Sequence, residues 1–388
     1  MRQAGGMELL PIAPIETLRQ RRSAKWRFHP PDVLPLPVAE MDVDLAPPIQ
    51  AALREAVERS DTGYPAPVPA LADALARFAG ERWGWEIDPE AVTAVADVGV
   101  GVVELLRVLV RPGDPVVICP PVYHPFFGWV PEAGGRVLEV PLAGGRLDLA
   151  GLERAFATHP AAFVLCNPHN PVGRVHTRDE LAEVVRLATA YGVPVISDEI
   201  HAPLVLPGAT FTPILTIPGA AAVSVSLVST SKAWNLAGLK CATIVTAGPE
   251  MAAITDRLPP DTMWRVGHFG VLASVAAYTE GGPWLERLIA TLDHRRSLLD
   301  RLVRERLPDV FWQPPDATFL AWLDCSAIGA GAAPRELFFE KGRVALEAGP
   351  RFGAAGSGHV RLNFGTSAEI LELAVDRMAA AIHDRGSL

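Results

Sequence analysis

The chain has 388 residues, of which 49% are hydrophobic and 20% charged, and its formal net charge at pH 7 is −9. This length and apolar content predict one folded α/β domain with a smaller companion domain. The negative net charge, without any basic tract, argues against a nucleic-acid partner.

Targeting and redox features of the sequence are sparse. No apolar run nears the roughly 18 residues that a membrane-spanning helix needs, and residues 1–6 lack the apolar core of a signal peptide. The four cysteines stand in mostly apolar stretches without a C-x-x-C pair. We therefore expect a cytoplasmic protein with buried thiols and with no disulfide, no metal site and no membrane partner.

Apolar runs that predict β-strands recur along the chain, near residues 92–95, 116–119, 135–140, 161–166, 194–197, 221–228 and 241–247. Helical stretches such as Leu181 to Tyr191 alternate with them. This alternation predicts an α/β fold with a seven-stranded, mostly parallel sheet and helices on both faces. We expect residues 51–275 to form this large domain, and residues 1–50 and 276–388 to form an N-terminal arm and a small α/β domain.

Three chemically different side chains follow three of these predicted strands. They are Asn170, Asp198 and Lys232, spaced 28 and then 34 residues apart. In an open parallel sheet, the loops after the strands share one edge, and ligands bind there. An amide, a carboxylate and an amine are therefore predicted to converge at one site.

Lys232 is one of only four lysines, whereas the other 31 basic side chains are arginine. A guanidinium stays protonated and does not readily form an imine with an aldehyde, so an isolated amine after a buried strand predicts a Schiff-base lysine. The S-T-S-K tetrapeptide at residues 229–232 fits a surface lysine beside a turn equally well. The carboxylate and the amide favour the first interpretation, because pyridoxal phosphate needs a carboxylate for its ring nitrogen and an oriented phenolate oxygen.

Three motifs in the sequence resemble those of the fold-type I pyridoxal phosphate enzymes, the aminotransferase class I/II superfamily. They are C-N-P-H-N-P-V-G at residues 166–173, S-D-E-I-H at 197–201 and S-K-A-W-N-L-A-G-L at 231–239. More narrowly, the chain looks like the MalY/PatB cystathionine β-lyase (C–S lyase) group. The resemblance implies an aspartate aminotransferase-like fold in which the strand near 241–247 runs antiparallel, and pyridoxal 5′-phosphate as the cofactor.

The resemblance also implies roles for residues around this cofactor. Lys232 would form the imine with the aldehyde, Asp198 would contact the pyridinium nitrogen, and Asn170 would donate to the phenolate oxygen. Tyr123 matches the aromatic residue that stacks on the ring. The expected phosphate contacts come from a glycine turn that opens a helix and from nearby hydroxyls and a cation: Val100, Gly101, Val102, Ser229, Ser231 and Lys240.

Two further matches lie outside the central motifs. Tyr64, in Gly-Tyr-Pro, matches a tyrosine that reaches the phosphate of the neighbouring subunit, which implies a homodimer with shared active sites. Arg361, in R-L-N-F-G, matches the arginine that binds the substrate α-carboxylate, a role suited to a planar bidentate donor. We expect Asn170 and the backbone of Ala39, in the loop at the substrate entrance, to lie near that carboxylate.

Two positions depart from the aminotransferase pattern. His201 stands where many transaminases carry a second tyrosine, as it does in the C–S lyase group. It either tunes the cofactor or is a buried histidine with satisfied hydrogen bonds. Pro37 replaces the tryptophan or alanine expected before the entrance loop. The sequence therefore does not determine the shape of the substrate pocket.

The expected activity is a β-elimination that converts L-cystathionine or a related L-cysteine S-conjugate to a thiol, pyruvate and ammonia. An aminotransferase, or another pyridoxal phosphate-dependent biosynthetic enzyme acting on an L-amino acid, would use the same residues and is the alternative. A third class, a cofactor-bound regulator that acts by binding a protein, is disfavoured because the N-terminal sequence shows no helix-turn-helix pattern.

Overall fold

The computed structural model describes residues 8–65, 69–329, 331 and 334–384. The strands in these ranges are β1 Leu34–Pro35, β2 Val92–Val95, β3 Pro115–Ile118, β4 Arg136–Glu139, β5 Ala162–Cys166, β6 Val195–Asp198, β7 Ser224–Val228, β8 Ala242–Val245, β9 Phe311–Trp312, β10 Leu320–Asp324, β11 Val344–Ala345, β12 Glu347–Ala348 and β13 His359–Asn363. The α-helices are α1 Ile15–Leu18, α2 Ala24–Arg27, α3 Pro47–Glu58, α4 Pro69–Trp83, α5 Val98–Leu109, α6 Phe126–Glu132, α7 Leu149–Phe156, α8 Arg178–Tyr191, α9 Pro249–Thr255, α10 His268–Glu280, α11 Gly282–Arg306, α12 Pro334–Glu340 and α13 Ala368–His383. No helix in the described ranges has the length and apolar character needed to cross a membrane.

A seven-stranded sheet forms the centre of the molecule, in the order β2-β8-β7-β6-β5-β3-β4. The five strands β3 to β7 are parallel to one another, whereas β8 runs antiparallel to both β2 and β7. The predicted fold class is confirmed, and so is the antiparallel strand near residues 241–247.

Helices cover both faces of this sheet because the strands alternate their apolar side chains between the two faces. In β3, Val116 and Ile118 pack towards α5 and α6, whereas Val117 packs towards α7 and α8. Fully burying each such side chain contributes about 1.5–3 kcal/mol relative to exposure. The two apolar layers therefore hold the strand ends in fixed register.

The N-terminal arm and the C-terminal segment pack together beside the large sheet. β1 pairs with β11 in parallel, and β12, β13, β10 and β9 form a four-stranded antiparallel sheet. The Asn363 N–H donates to the Leu36 carbonyl at 2.9 Å, which joins β13 to the arm. The domain boundaries stay a prediction, and the one at residue 275 falls inside α10.

β7 begins later than the apolar run at 221–228 predicts. Residues 220–222 form a 3₁₀ turn that follows Gly219, whose φ is 87°. The Val223 N–H donates to the Ala220 carbonyl at 3.1 Å and closes this turn. Alanine is compatible with a turn as well as with a strand, so apolar character alone does not determine where the strand starts.

Candidate active site

The carboxyl ends of β5, β6 and β7 open on one cavity of about 500 Å³. The register pairs Cys166 with Asp198, and Asp198 with Leu227, so the residues that follow these strands share one edge. Such a volume is typical of a small-molecule site. The predicted residues that line the cavity are Ala39, Val100, Tyr123, Asn170, Asp198, His201, Ser231, Lys232 and Lys240.

The Lys232 amine lies in this cavity, on the connection that follows β7. Its Nζ donates to the Ala39 carbonyl at 3.1 Å. Burial, with the nearby Arg361 guanidinium as a smaller cause, lowers the pKa of the amine to about 8. An appreciable fraction of the amine is therefore neutral in mildly alkaline solution, and the neutral form attacks a carbonyl carbon.

Asp198 is the last residue of β6, and only 3% of it is exposed. Its Oδ1 accepts a hydrogen bond from the Ile200 N–H at 3.1 Å. Burial raises the pKa of the carboxyl to about 7, although this hydrogen bond and the Lys232 charge oppose the rise. A protonated ring nitrogen would stabilise the charged carboxylate in this low-dielectric position.

Arg361, on β13, does not line the cavity itself but contacts Asn170, which does. Its Nη1 donates to Asn170 Oδ1 at 3.0 Å, and its Nη2 donates to the Pro37 carbonyl at 2.9 Å. The guanidinium lies 5.0 Å from the centroid of the Phe352 ring, and Nε is buried without a hydrogen-bond partner among the described residues. Burial lowers the pKa of Arg361 to about 10, so the side chain is still cationic at neutral pH. A carboxylate is the ligand that suits such a buried fork of donors.

Tyr123 follows β3 and packs half-buried against Trp129, with the ring centroids 5.8 Å apart. Trp129 also borders the first turn of α5, because a Cβ on Gly99 would lie 2.6 Å from its indole ring. The absence of a side chain at Gly99 therefore makes room for the Trp129 indole. Trp129 was missed in the sequence, since one tryptophan within a helical stretch has no distinguishing pattern.

The first turn of α5 faces the cavity, but two of the residues predicted to contact the phosphate do not line the cavity. Residues 98–100 line the cavity, whereas the Gly101 N–H donates to the Asp97 carbonyl at 3.0 Å. A Cβ on Gly101 would lie 2.6 Å from the Leu227 side chain, and Val102 is fully buried. Gly101 and Val102 thus pack against the sheet and do not line the cavity. The Val100 N–H donates to Asp97 Oδ1 at 2.8 Å, which leaves the N–H groups of residues 98 and 99 at this helix start as candidates for an anion.

Of the other predicted phosphate contacts, Ser231 and Lys240 line the cavity, and Ser229 lies behind it. The Ser229 hydroxyl donates to the Cys241 carbonyl at 2.7 Å and accepts from the Ser231 N–H at 3.1 Å, so it shapes the turn. Lys240 Nζ lies 2.9 Å from Asp97 Oδ2 in a largely exposed pair. Asp97 also caps α5 through its other oxygen.

His201 is buried at the cavity wall, with 2% of its surface exposed. Its Nδ1 has no hydrogen-bond partner within the described ranges, and its ring lies 6.2 Å from that of Phe319. Burial, with the Lys232 charge as a smaller cause, lowers the pKa of the imidazole to about 3, so the ring is neutral. Both interpretations of His201, as a residue that tunes the cofactor and as a satisfied core histidine, stay predictions.

Tyr64 does not lie in the cavity of its own chain. Its side chain is 79% exposed and makes an edge contact with Trp264, with the ring centroids 5.8 Å apart. A tyrosine that serves a neighbouring subunit must project from its own subunit in this way. Its role in a partner's site stays a prediction.

The loop at residues 37–42 is held by two asparagines that were not predicted to be functional. Asn235 accepts from the Met41 N–H at 2.8 Å and donates to the Met41 carbonyl at 2.9 Å. Asn363 donates to two further loop carbonyls, at 2.7 and 2.6 Å. Both asparagines lie inside motifs that the sequence analysis recognised. Their place in these motifs was the sequence feature that could have indicated a functional role.

Comparisons with known proteins extend over nearly the whole chain. The model of the family "Aminotransferase class I and II" matches residues 31–378. The chain is 48% identical to a protein of Mycobacterium leprae (strain TN), over 95% of this chain and 96% of that protein. It is 34% identical to the cystathionine beta-lyase PatB of Bacillus subtilis (strain 168), over 93% of this chain and 97% of PatB.

The solved structures agree with the sequence relatives. Cystalysin from Treponema denticola, whose crystal structure contains a pyridoxal 5′-phosphate cofactor, has a TM-score of 0.88 with this chain at 25% identity. The similarity covers 97% of this chain and 99% of cystalysin. The resemblance identified from the motifs is confirmed. The chain belongs to the aminotransferase class I and II family.

Proposed function

We propose that this protein is a pyridoxal phosphate-dependent C–S β-lyase. It acts on L-cystathionine or a related L-cysteine S-conjugate and releases a thiol, pyruvate and ammonia. The observation that carries the proposal is the convergence of the Lys232 amine, the Asp198 carboxyl and the Arg361–Asn170 pair around one cavity. The similarity to PatB, a cystathionine beta-lyase, supports the same activity.

The residues of the cavity fit pyridoxal phosphate group by group. The Lys232 amine matches the aldehyde, the buried Asp198 carboxyl matches the ring nitrogen, and the Tyr123 ring matches the face of the cofactor ring. The first turn of α5 and Lys240 match the phosphate. Because Asp97 already pairs with Lys240, the phosphate is expected to replace this carboxylate at the lysine.

When bound, pyridoxal phosphate supplies a carbonyl for covalent attachment and a ring that withdraws electrons from the substrate Cα. Asp198 holds a proton at the ring nitrogen, and its burial makes the resulting ion pair strong. Arg361 binds the substrate α-carboxylate and so orients the Cα–H bond. Lys232 Nζ, with its pKa lowered to about 8, removes the Cα proton.

Transamination is the second candidate function, since the family as a whole is named for aminotransferases. The same side chains would serve it, with the proton moved by Lys232 to a different carbon. Product analysis separates the two reactions. Pyruvate and a thiol released from L-cystathionine support the lyase, whereas a new amino acid formed only with an added keto acid rejects it in favour of the aminotransferase.

We also propose that the protein works in the cytoplasm as a homodimer with shared active sites. The exposed Tyr64 ring and the adjoining Trp264, which is 50% exposed, form an aromatic surface suited to a second copy. Tyrosine and tryptophan are enriched at protein interfaces because they combine a large apolar area with a polar group.

Substitution of Arg361 by alanine is expected to lower kcat/KM for L-cystathionine by about 10- to 100-fold, mainly through a higher KM. The expected size corresponds to the loss of a charge-assisted hydrogen bond to the carboxylate, worth about 1.5–3 kcal/mol. Steady-state kinetics measures the effect. Arg361→Lys is the matched control, which keeps the charge and loses the bidentate geometry, and it is expected to restore only part of the affinity. An unchanged KM in both variants would reject the carboxylate role.

Mixing two inactive or weakened dimers is expected to restore activity. In a hybrid of Tyr64→Phe and Lys232→Ala subunits, one shared site carries both changes and the other carries neither. The full heterodimer is therefore expected to reach up to about half of wild-type turnover. Assays before and after proven subunit exchange measure the gain. A monomer at working concentration, or exchange without any gain, would contradict the shared site.

A further inference from the structure

An ion pair between Lys25, on α2, and Asp42 is buried outside the cavity, with both side chains 1% exposed. Lys25 Nζ lies 2.7 Å from Asp42 Oδ2 and also donates to the Glu40 carbonyl at 3.1 Å. Trp26 Nε1 donates to the other oxygen, Asp42 Oδ1, at 2.9 Å. Both carboxylate oxygens are thus held by donors from one short helix.

Stability alone does not account for such a pair. Two charges removed from water lose their hydration, and apolar residues of similar volume are often as stabilising or more so. What a doubly hydrogen-bonded carboxylate adds is direction, because its partners fix the position of the backbone that bears it. Here that backbone is the end of the loop at residues 37–42, whose Asp42 N–H also donates to the Gly365 carbonyl at 2.9 Å.

The same loop carries carbonyl acceptors for two cations of the proposed active site, Lys232 and Arg361. The Ala39 carbonyl accepts from Lys232, and the Pro37 carbonyl accepts from Arg361. Neither carbonyl can move without changing the position of the side chain that donates to it. The Lys25–Asp42 pair is therefore linked through the loop backbone to both carbonyls, although neither Lys25 nor Asp42 lines the cavity.

We propose that Lys25, Trp26 and Asp42 are positioning residues that hold the loop at residues 37–42 so that its carbonyls orient Lys232 and Arg361. This inference rests on the proposed function, in which Lys232 attacks the cofactor carbonyl and Arg361 binds the substrate carboxylate. The orientation of Lys232 determines how readily its amine reacts. The orientation of Arg361 determines the affinity for the substrate.

The main test uses the charge-balanced double variant Lys25→Met/Asp42→Asn. Loss of the fixed Ala39 acceptor removes a contact that favours the ammonium form, so the pH midpoint for adduct formation between apoprotein and pyridoxal phosphate is expected to fall by half a unit or more. KM for L-cystathionine is expected to rise about tenfold, since small displacements of positioning groups cost up to about 100-fold. Stopped-flow absorbance and steady-state kinetics measure the two effects.

The matched control is Arg343→Met/Asp32→Asn, which removes an exposed pair, with contacts of 2.7 and 3.1 Å, between the arm and the C-terminal segment. It is expected to leave the pH midpoint and KM unchanged. Trp26→Phe keeps the ion pair and removes one hydrogen bond. It replaces the double variant in the test if the double variant does not fold. It is expected to shift both quantities in the same direction by a smaller amount.

Three outcomes decide the matter. A lower pH midpoint with a higher KM, in variants that melt well above the assay temperature, supports the positioning role. An unchanged pH midpoint and KM in the folded Trp26→Phe and double variants overturn it. A loss of activity that is fully explained by the fraction of unfolded protein also overturns it. Adduct formation requires no turnover, so a wild-type protein that forms the adduct without releasing pyruvate rejects the lyase activity alone.

Discussion

Exchange of Lys232 for alanine is expected to abolish the borohydride-reducible lysine adduct with pyridoxal phosphate and to lower turnover by about 10⁴-fold or more. Positioned general bases alone contribute about 10²–10⁴-fold, and this variant also loses the covalent attachment. Reduction with borohydride followed by peptide mass analysis locates the adduct. Release of pyruvate from L-cystathionine measures turnover.

Lys240→Ala is the matched control for this experiment, because Lys240 lines the same cavity and pairs with Asp97 at the surface. The control is expected to keep the adduct at Lys232 and to retain the cofactor less well. A Lys232 variant that forms a reducible adduct at another lysine and turns over at the wild-type rate would show that the assigned lysine is wrong.

Asp198→Asn is expected to permit adduct formation at Lys232 while lowering kcat by about 10²–10³-fold. The amide keeps the shape of the side chain but removes the charge that holds a proton on the ring nitrogen. Loss of one preorganised electrostatic contact typically costs about 2.7–4 kcal/mol of transition-state stabilisation. Single-turnover and steady-state rates, with cofactor occupancy measured by absorbance, separate loss of chemistry from loss of cofactor.

The neighbouring Glu199 provides the control, because it is also fully buried and its pKa is raised to about 7 by burial. Its carboxylate accepts hydrogen bonds from the Ser197 and Ser226 hydroxyls and from the Ile214 N–H, and it does not line the cavity. Glu199→Gln is expected to lower the free energy of unfolding while kcat of the folded protein stays near that of wild type. Near-normal kcat in Asp198→Asn would contradict the proposed role of Asp198 in holding a proton at the ring nitrogen.

The central part of the site was predictable from the sequence because it follows from strand periodicity. Asn170, Asp198 and Lys232 each come after an apolar run, and parallel strands place such positions at one edge. The motif resemblance then supplied Tyr123 and Arg361, which come from other parts of the chain. Fold class and family were predictable on the same basis, since both depend on patterns that extend along the whole sequence.

The remaining parts depend on backbone hydrogen bonds that a residue pattern does not encode. Gly101 was predicted at the phosphate, but the helix begins early enough for its N–H to bond to Asp97. Ser229 and Ser231 look equivalent in the sequence, and a turn places one behind the other. Likewise, nothing in the sequence around Lys25 indicates that its partner is a buried carboxylate 17 residues away.

The reversed direction of β8 determines how the two cavity lysines are connected. Because β8 is antiparallel, its amino end at Ala242 lies beside the carboxyl end of β2 at Val95, next to the end of β7. A parallel crossover would instead have carried the chain over a face of the sheet before returning. Lys232 and Lys240 therefore stand at the two ends of a single rim segment. They are eight residues apart on this one connection, so a change in its length between them would alter the spacing of the proposed covalent and ionic contacts together.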